Sequence, residues 1–257
     1  MLILIAESKT MLVDQHPVSA EYLGAHMPEG EDAAADIVRR LAELSQPDLI
    51  ADTGFSATLA ARVRRMLYEF PNKALGLNAI EAYTGVVFKA LDYATLSAEA
   101  RAMCQKEVRI ISSLYGLLRP DDVIKPYRLD FTTKAAPNGG ALNAFLRKDV
   151  TIDLVKTITA AGHTDVLNLL PADAAKCVNW KVVRKFCKVW KADFVEIGDG
   201  DTFKTPNATK LKTMRGKLLR QILTDGIATA AALQTVHSDD YFCLGTPEYP
   251  DHLRFIT

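Results

Sequence analysis

The chain opens on an unbroken apolar run, Met1-Leu2-Ile3-Leu4-Ile5, which is too short for a helix of ordinary length and is followed at once by Glu7 and Lys9. A run of that kind predicts a strand buried on both faces. The period then changes. Ile37, Val38, Leu41 and Leu44 recur at helical spacing behind Glu31 and Asp32, predicting a helix over about 33–44. Ser45-Gln46-Pro47 breaks it, a short helix runs to Thr53, and after Gly54 a second helix over about 56–68 turns Leu59, Val63, Met66 and Leu67 inward. Residues 81–87 have a strand-like or loop-like pattern. Ser97 reads as the N-cap of a helix ending near Val108. Residues 109–116 form a β-rich run closed by Gly116, Asn138-Gly139-Gly140 is a turn, and 142–160 is helical. Residues 165–170 predict another buried strand, and the last third alternates short strands around Trp190 and Phe203 with a helix over 212–224. No repeat or linker divides the chain, so the expected fold is α+β: one mixed α/β domain over residues 1–257, with the helical pair near 45–70 as a subregion.

With 257 residues, 49% of them hydrophobic and 24% charged, the chain can bury a core of ordinary size. Its 31 basic residues balance its 31 acidic ones, so any attraction for a polyanion must come from uneven placement. No stretch has the length and apolarity of a membrane span, and the opening run lacks the basic segment of a signal peptide. Four scattered cysteines without a Cys-x-x-Cys pair fit a reducing cytoplasm. Neither zinc-ligand spacing nor a phosphate-cradling glycine motif is present, so no metal and no cofactor is expected. The histidines at 16, 26, 163, 237 and 252 lack evident partners and no nucleophile elbow exists, which leaves catalytic residues unassigned. The cysteines at 177 and 187 sit in basic surroundings that could lower a thiol pKa and make it an oxidant sensor, although buried inert thiols are commoner.

Three segments carry candidate chemistry. Residues 49–65 resemble a helix-hairpin-helix, in which backbone N–H groups at the start of the second helix hold one phosphate of a nucleic acid. Gly54 would allow the close approach, and Arg62, Arg64 and Arg65 would meet flanking phosphates without reading sequence. An ordinary pair of helices with a solvated basic face explains the same pattern, since Ser56 stands where a second glycine is usual. From Lys176 to Arg220, twelve Lys or Arg face four acidic residues, with Trp180, Phe186 and Trp190 among them. That mixture suits a nucleic-acid groove or, equally, a solvated face over core tryptophans. The run Ser112 to Leu129 combines Tyr115, Tyr127, Arg119, Arg128, Pro120 and Pro126 in one rigid polar stretch, either a site or a loop braced by pairing of its arginines with Asp121, Asp122 or Asp130.

Taken together, the opening strand through Lys9-Thr10, Tyr83-Thr84-Gly85, the block Leu114-Tyr115-Gly116-Leu117-Leu118-Arg119-Pro120 continuing to Pro126-Tyr127-Arg128-Leu129, Asn168-Leu169 and Lys212-Thr213-Met214-Arg215-Gly216 resemble the YaaA family over nearly the whole chain. The resemblance implies a bacterial cytoplasmic protein of the hydrogen-peroxide stress response. It further implies a helix-hairpin-helix and a positively charged cleft that binds duplex or distorted DNA, with no obligate protein partner. Carried over by position, Lys9, Tyr83, Arg119, Tyr127, Arg128, Lys212 and Arg215 line the cleft and Gly54 marks the hairpin turn. Where the family start usually reads Ser-Pro-Ala-Lys, this chain has Ala6-Glu7-Ser8-Lys9, which puts an acid beside the expected cleft. An enzyme acting on a nucleotide, a damaged base or a phosphorylated small molecule in the same cleft is the alternative.

Overall fold

The computed structural model describes residues 1–12, 16–17, 28–70, 75–245 and 251–257. The opening run forms β1 (Leu2–Ala6), all five residues buried, at the middle of a mostly parallel sheet. After β2 (His16–Pro17) come α1 (Glu31–Glu43), α2 (Gln46–Thr53), α3 (Ala57–Glu69), β3 (Leu75–Asn78), α4 (Ala79–Ala82), α5 (Val86–Leu91) and α6 (Ala98–Glu107). The chain then returns as β4 (Val108–Ser112), parallel to β1 with Ile3 opposite Val108 and Ala6 opposite Ile111. β5 (Gly116–Leu118) folds back antiparallel on β4, and β6 (Val123–Ile124) joins β3 and β2 in a small second sheet. α7 (Leu142–Phe145) and α8 (Arg147–Ala161) lead to β7 (Asp165–Asn168) on the other side of β1, again parallel. Beyond it follow α9 (Ala172–Ala175), α10 (Trp180–Val183), β8 (Lys188–Ile197), β9 (Phe203–Lys204), α11 (Ala208–Thr224), β10 (Phe242–Gly245) and β11 (His252–Ile256). The order across the main sheet is β10-β11-β8-β7-β1-β4-β5, with only β10, β5 and the short β9 antiparallel to their neighbours.

The mixed composition is as expected, but helices and strands alternate around a parallel sheet instead of segregating as an α+β fold would have them. Parallel strands are covered on both faces, which is why β1 and β4 read as nearly continuous apolar runs. The helix starts expected at Ser45, Ser56 and Ser97 are real caps: each side chain accepts the amide of a residue three further on, Asp48, Leu59 and Ala100. Two expectations change. Residues 81–87 are the end of α4, a bridge from Tyr83 to Met11, and the start of α5, because packing of α5 against α11 outweighs the strand preference of Val86 and Val87. The helix expected from 212 begins earlier, where the Asn207 side chain caps Lys210. Among the described residues no helix is long and apolar enough to cross a membrane.

Candidate functional site at the carboxyl ends of β1, β4 and β7

The chain leaves β1 toward β4 on one side and later crosses back to place β7 on the other. In open α/β sheets, ligands bind outside the carboxyl ends of the strands at such a reversal. Glu7 directly follows β1, and its amide continues the ladder to the Ile111 carbonyl at 2.9 Å. Its Oε2 accepts the Ser113 amide at 2.7 Å and the Tyr127 hydroxyl. The Tyr127 oxygen also lies 2.7 Å from the Tyr83 hydroxyl and 2.8 Å from Ser112 Oγ. Counting lone pairs assigns the hydrogens. Ser112 Oγ already accepts the amides of Leu114 at 3.1 Å and Tyr115 at 2.9 Å, so its own hydrogen goes to Tyr127. Tyr127 gives its hydrogen to Glu7, and Tyr83 therefore donates into Tyr127. The whole network points at one carboxylate oxygen.

Burial pushes the Glu7 carboxyl up to about 7, against the opposing pull of its hydrogen-bond donors, and the charge of Asp130 adds to the rise. Burial likewise pushes the Tyr83 and Tyr127 phenols well above their ordinary value, so both stay protonated and remain donors. Ser8 packs under the start of α5: a Cβ on Gly85 would fall 2.1 Å from Ser8 Oγ, so no side chain fits there.

Basic groups meet beside this network. Lys9 Nζ lies 2.6 Å and Arg128 Nη1 3.1 Å from the same Asp130 oxygen. Burial alone would raise Asp130, but the two cations outweigh it and hold the carboxyl below its ordinary value. The Arg128 guanidinium also stands 6.0 Å over the ring of Phe55, which is buried in the turn between α2 and α3. In that turn Gly54 adopts φ 71, its amide capping the Ile50 carbonyl at 2.8 Å, and nothing stands within 4 Å of where its Cβ would be. Only glycine takes that backbone conformation without cost. Arg62, Arg64 and Arg65 are exposed along α3; Arg64 donates to the Leu44 carbonyl at 2.6 Å and Arg65 pairs with Glu69 at 3.0 Å.

Against known proteins, the model of the family described as peroxide stress protein YaaA matches residues 1–244. The chain belongs to the YaaA family. It is 31% identical over 249 residues to a UPF0246 protein of Cupriavidus metallidurans, covering 94% of this chain and 92% of that protein. A UPF0246 protein of Parabacteroides distasonis is 29% identical over 238 residues, 91% of each chain.

The structure of this YaaA-family chain gathers some of the residues that sequence reading proposed for the cleft and separates others. Lys9, Tyr83, Tyr127, Arg128 and the Gly54 turn lie together, although Tyr83 and Tyr127 are 2% and 7% exposed and support the site from beneath. Arg119 does not join them. Because Leu118 pairs with Ile110, Arg119 runs toward the amino end of β4, where it lines a separate cavity with Arg109, Asp122 and Asp153. Lys212 is exposed on α11. One turn later Arg215 is partly buried; burial pulls its pKa down, while the nearby charges of Asp173 and Asp193 oppose the shift. Glu7 and Ser112 were missed as site residues. For Glu7 the signals were an acid directly after an all-apolar strand and its departure from the family's usual start beside the expected cleft. The thiols offer no sensor: burial pushes Cys177 to about 12 and Cys187 to about 11, away from the reactive thiolate. His163, one of the histidines without an evident partner in the sequence, has its side chain buried against Glu107. Among the described residues no group of three or more His, Cys, Asp or Glu side chains could hold a metal ion.

Proposed function

We propose that this protein binds duplex or distorted DNA without sequence specificity, as part of a bacterial peroxide stress response, through a basic cleft and a helix-hairpin-helix formed by α2 and α3. The observation that carries the reading is the contact of Arg128 with Phe55, which brings the α2–α3 turn against the Lys9, Asp130 and Arg128 group. Phosphates would meet the open backbone at Gly54 and the amides at the start of α3, with Arg62, Arg64 and Arg65 along the flank and Lys9, Arg128, Lys212 and Arg215 in the cleft. Tyr83 and Tyr127 hold the cleft floor. Asp130 tethers two of the cations in the free protein, so a phosphate has to compete with it, and binding is expected to fall steeply with salt. The family description as a peroxide stress protein supports the cellular setting.

The test is fluorescence anisotropy of plain, bubbled and single-stranded DNA across a salt series. Lys9→Ala with Arg128→Ala, and separately Arg62, Arg64 and Arg65→Ala, are expected to weaken binding and to lower the salt slope by about 1 for each phosphate that is no longer neutralised. No binding at low salt overturns the reading. A second reading, an enzyme acting on a nucleotide, a damaged base or a phosphorylated small molecule in the same cleft, is favoured by one observation: a carboxyl raised to about 7 beside two protonated tyrosines suits proton transfer near neutral pH. Saturable binding of a nucleoside monophosphate without affinity for DNA would favour it.

A further inference from the structure

The basic stretch before β8 is not absorbed by the cleft. Between Asp173 and Asp193 the chain carries Lys176, Lys181, Arg184, Lys185, Lys188 and Lys191 and no acid. The fold gives most of that stretch a place of its own. Lys188 opens β8 opposite Asp165, the first residue of β7, so the turn between α10 and β8 lies at the amino end of the sheet. The cleft lies beyond the carboxyl ends of β1, β4 and β7, at the other end.

Helical bonding runs past α10: the Arg184 amide donates to the Trp180 carbonyl at 3.0 Å and the Cys187 amide to the Val183 carbonyl at 3.3 Å. Val183 is buried, with Trp180 and Cys187 partly buried on the same side. Lys181, Arg184, Lys185 and Lys188 recur at helical spacing on the opposite side, and all four are exposed. Little in the protein neutralises them. Lys181 and Lys185 form no ion pair among the described residues, Lys188 stands 3.8 Å over the Trp190 ring, and Arg184 reaches Asp251 only at 3.9 Å. Phe186, 49% exposed, projects among these cations.

A surface of this charge calls for an anionic partner, and the aromatic residues decide which kind. A single-stranded nucleic acid stacks successive bases on several rings. Here Trp190 is buried and donates its Nε1 to Asp165 at 2.6 Å, and Trp180 donates to the Ala175 carbonyl at 3.0 Å, which leaves Phe186 as the one exposed ring of the stretch. A duplex backbone offers phosphates but nothing apolar to cover that ring. The surface of an anionic bilayer takes both, since headgroups meet the cations and the ring enters the boundary with the acyl chains. We propose that this protein docks on the surface of an anionic phospholipid bilayer, with Phe186 inserted and Lys181, Arg184, Lys185 and Lys188 against the headgroups. The attachment is peripheral and needs no membrane span. It goes beyond the DNA-binding reading and does not depend on it.

The experiment is co-sedimentation of the full chain with vesicles of phosphatidylcholine alone and of phosphatidylcholine with equimolar phosphatidylglycerol, at low and at high salt. Binding is expected to the anionic vesicles only, and to weaken as salt rises. Lys181→Gln with Lys185→Gln should weaken it about fivefold for each cation removed, and Phe186→Ser about tenfold at either salt concentration. All three side chains are exposed, so the urea midpoint should not move, and affinity for a DNA duplex should stay that of the wild type. Anionic vesicles that fail to bind at low salt, or a Phe186→Ser variant that binds them as tightly as the wild type, overturn the proposal. So does a lysine variant that loses affinity for duplex DNA while keeping its affinity for vesicles, which would assign the patch to nucleic acid.

Discussion

The two ends of the β1–β4 pair each carry a glutamate that is largely enclosed, and they hold it in opposite ways. At the amino end Glu107 Oε2 lies 3.2 Å from the Met1 ammonium and 3.6 Å from His163 Nδ1, while Oε1 lies 3.5 Å from Lys106 Nζ. At the carboxyl end Glu7 forms no ion pair among the described residues; the Tyr127 hydroxyl and the amide and side chain of Ser113 hold it. The first acid has counter-charges and braces the sheet. The second is a buried charge compensated by dipoles alone, which is why burial outweighs its hydrogen bonds and raises its pKa. An acid that stabilises the fold and an acid that the fold merely tolerates can sit one strand length apart, and the second is the one available for chemistry.

The comparison is broken most directly at Glu107. Replacing it by Gln strands the Met1 ammonium and the largely buried His163, and should cost about 3 kcal/mol by urea unfolding at pH 7. An unchanged midpoint would mean that the amino-end cluster does not brace the sheet. Glu7→Gln should act in the opposite direction. The folded-state value of about 7 lies above the ordinary 4.5, so between those values the folded protein binds more protons than the unfolded chain. Stability from this group is therefore greatest below about pH 4.5, falls as the pH rises through that window, and levels off above 7 at a cost of up to about 3 kcal/mol. The Gln variant should gain stability at pH 8 and little at pH 4, and a loss at pH 8 would sink this assignment. Tyr127→Phe removes the donor to Glu7 and the acceptor for Tyr83, and should cost about 1 kcal/mol with the Glu7 titration, followed by NMR, moved upward. The smallest effect is expected from Arg119→Ala, which should leave the DNA salt slope unchanged while Lys9→Ala lowers it; equal reductions would place Arg119 in the binding surface after all.

Much of the fold was legible because local signals and tertiary packing agreed. The apolar run at 1–5, the serine caps at 45, 56 and 97, and the glycine at 54 each carry their own physical cause and appear where expected, and the strand expected at 165–170 forms over Asp165–Asn168. Within residues 81–87, Tyr83 to Gly85 form a bridge and loop, but the helix starting at Val86 and Val87 was not foreseen because it has no periodicity of its own and depends on α11, more than a hundred residues away. The site was legible in part. Lys9, Arg128 and the Gly54 turn were named from the resemblance and from local pattern, and the fold brings them together. Arg119 was grouped with Arg128 because the two share one sequence block, but the antiparallel return of β5 carries it to the other end of the strand.

By itself the sequence determined what short-range physics controls: which stretches are apolar on both faces, where the helices capped by Ser45, Ser56 and Ser97 start, where a left-handed residue is needed, and that the net charge is zero. Only the tertiary structure decided which charges meet. Glu7 and Tyr127 are 120 residues apart in the chain, and Lys9 and Asp130 are just as distant. Pairing at that separation follows from strand order and register, and a carboxyl pKa follows from the depth and the donors that this pairing supplies; neither quantity is a property of any local segment of the chain.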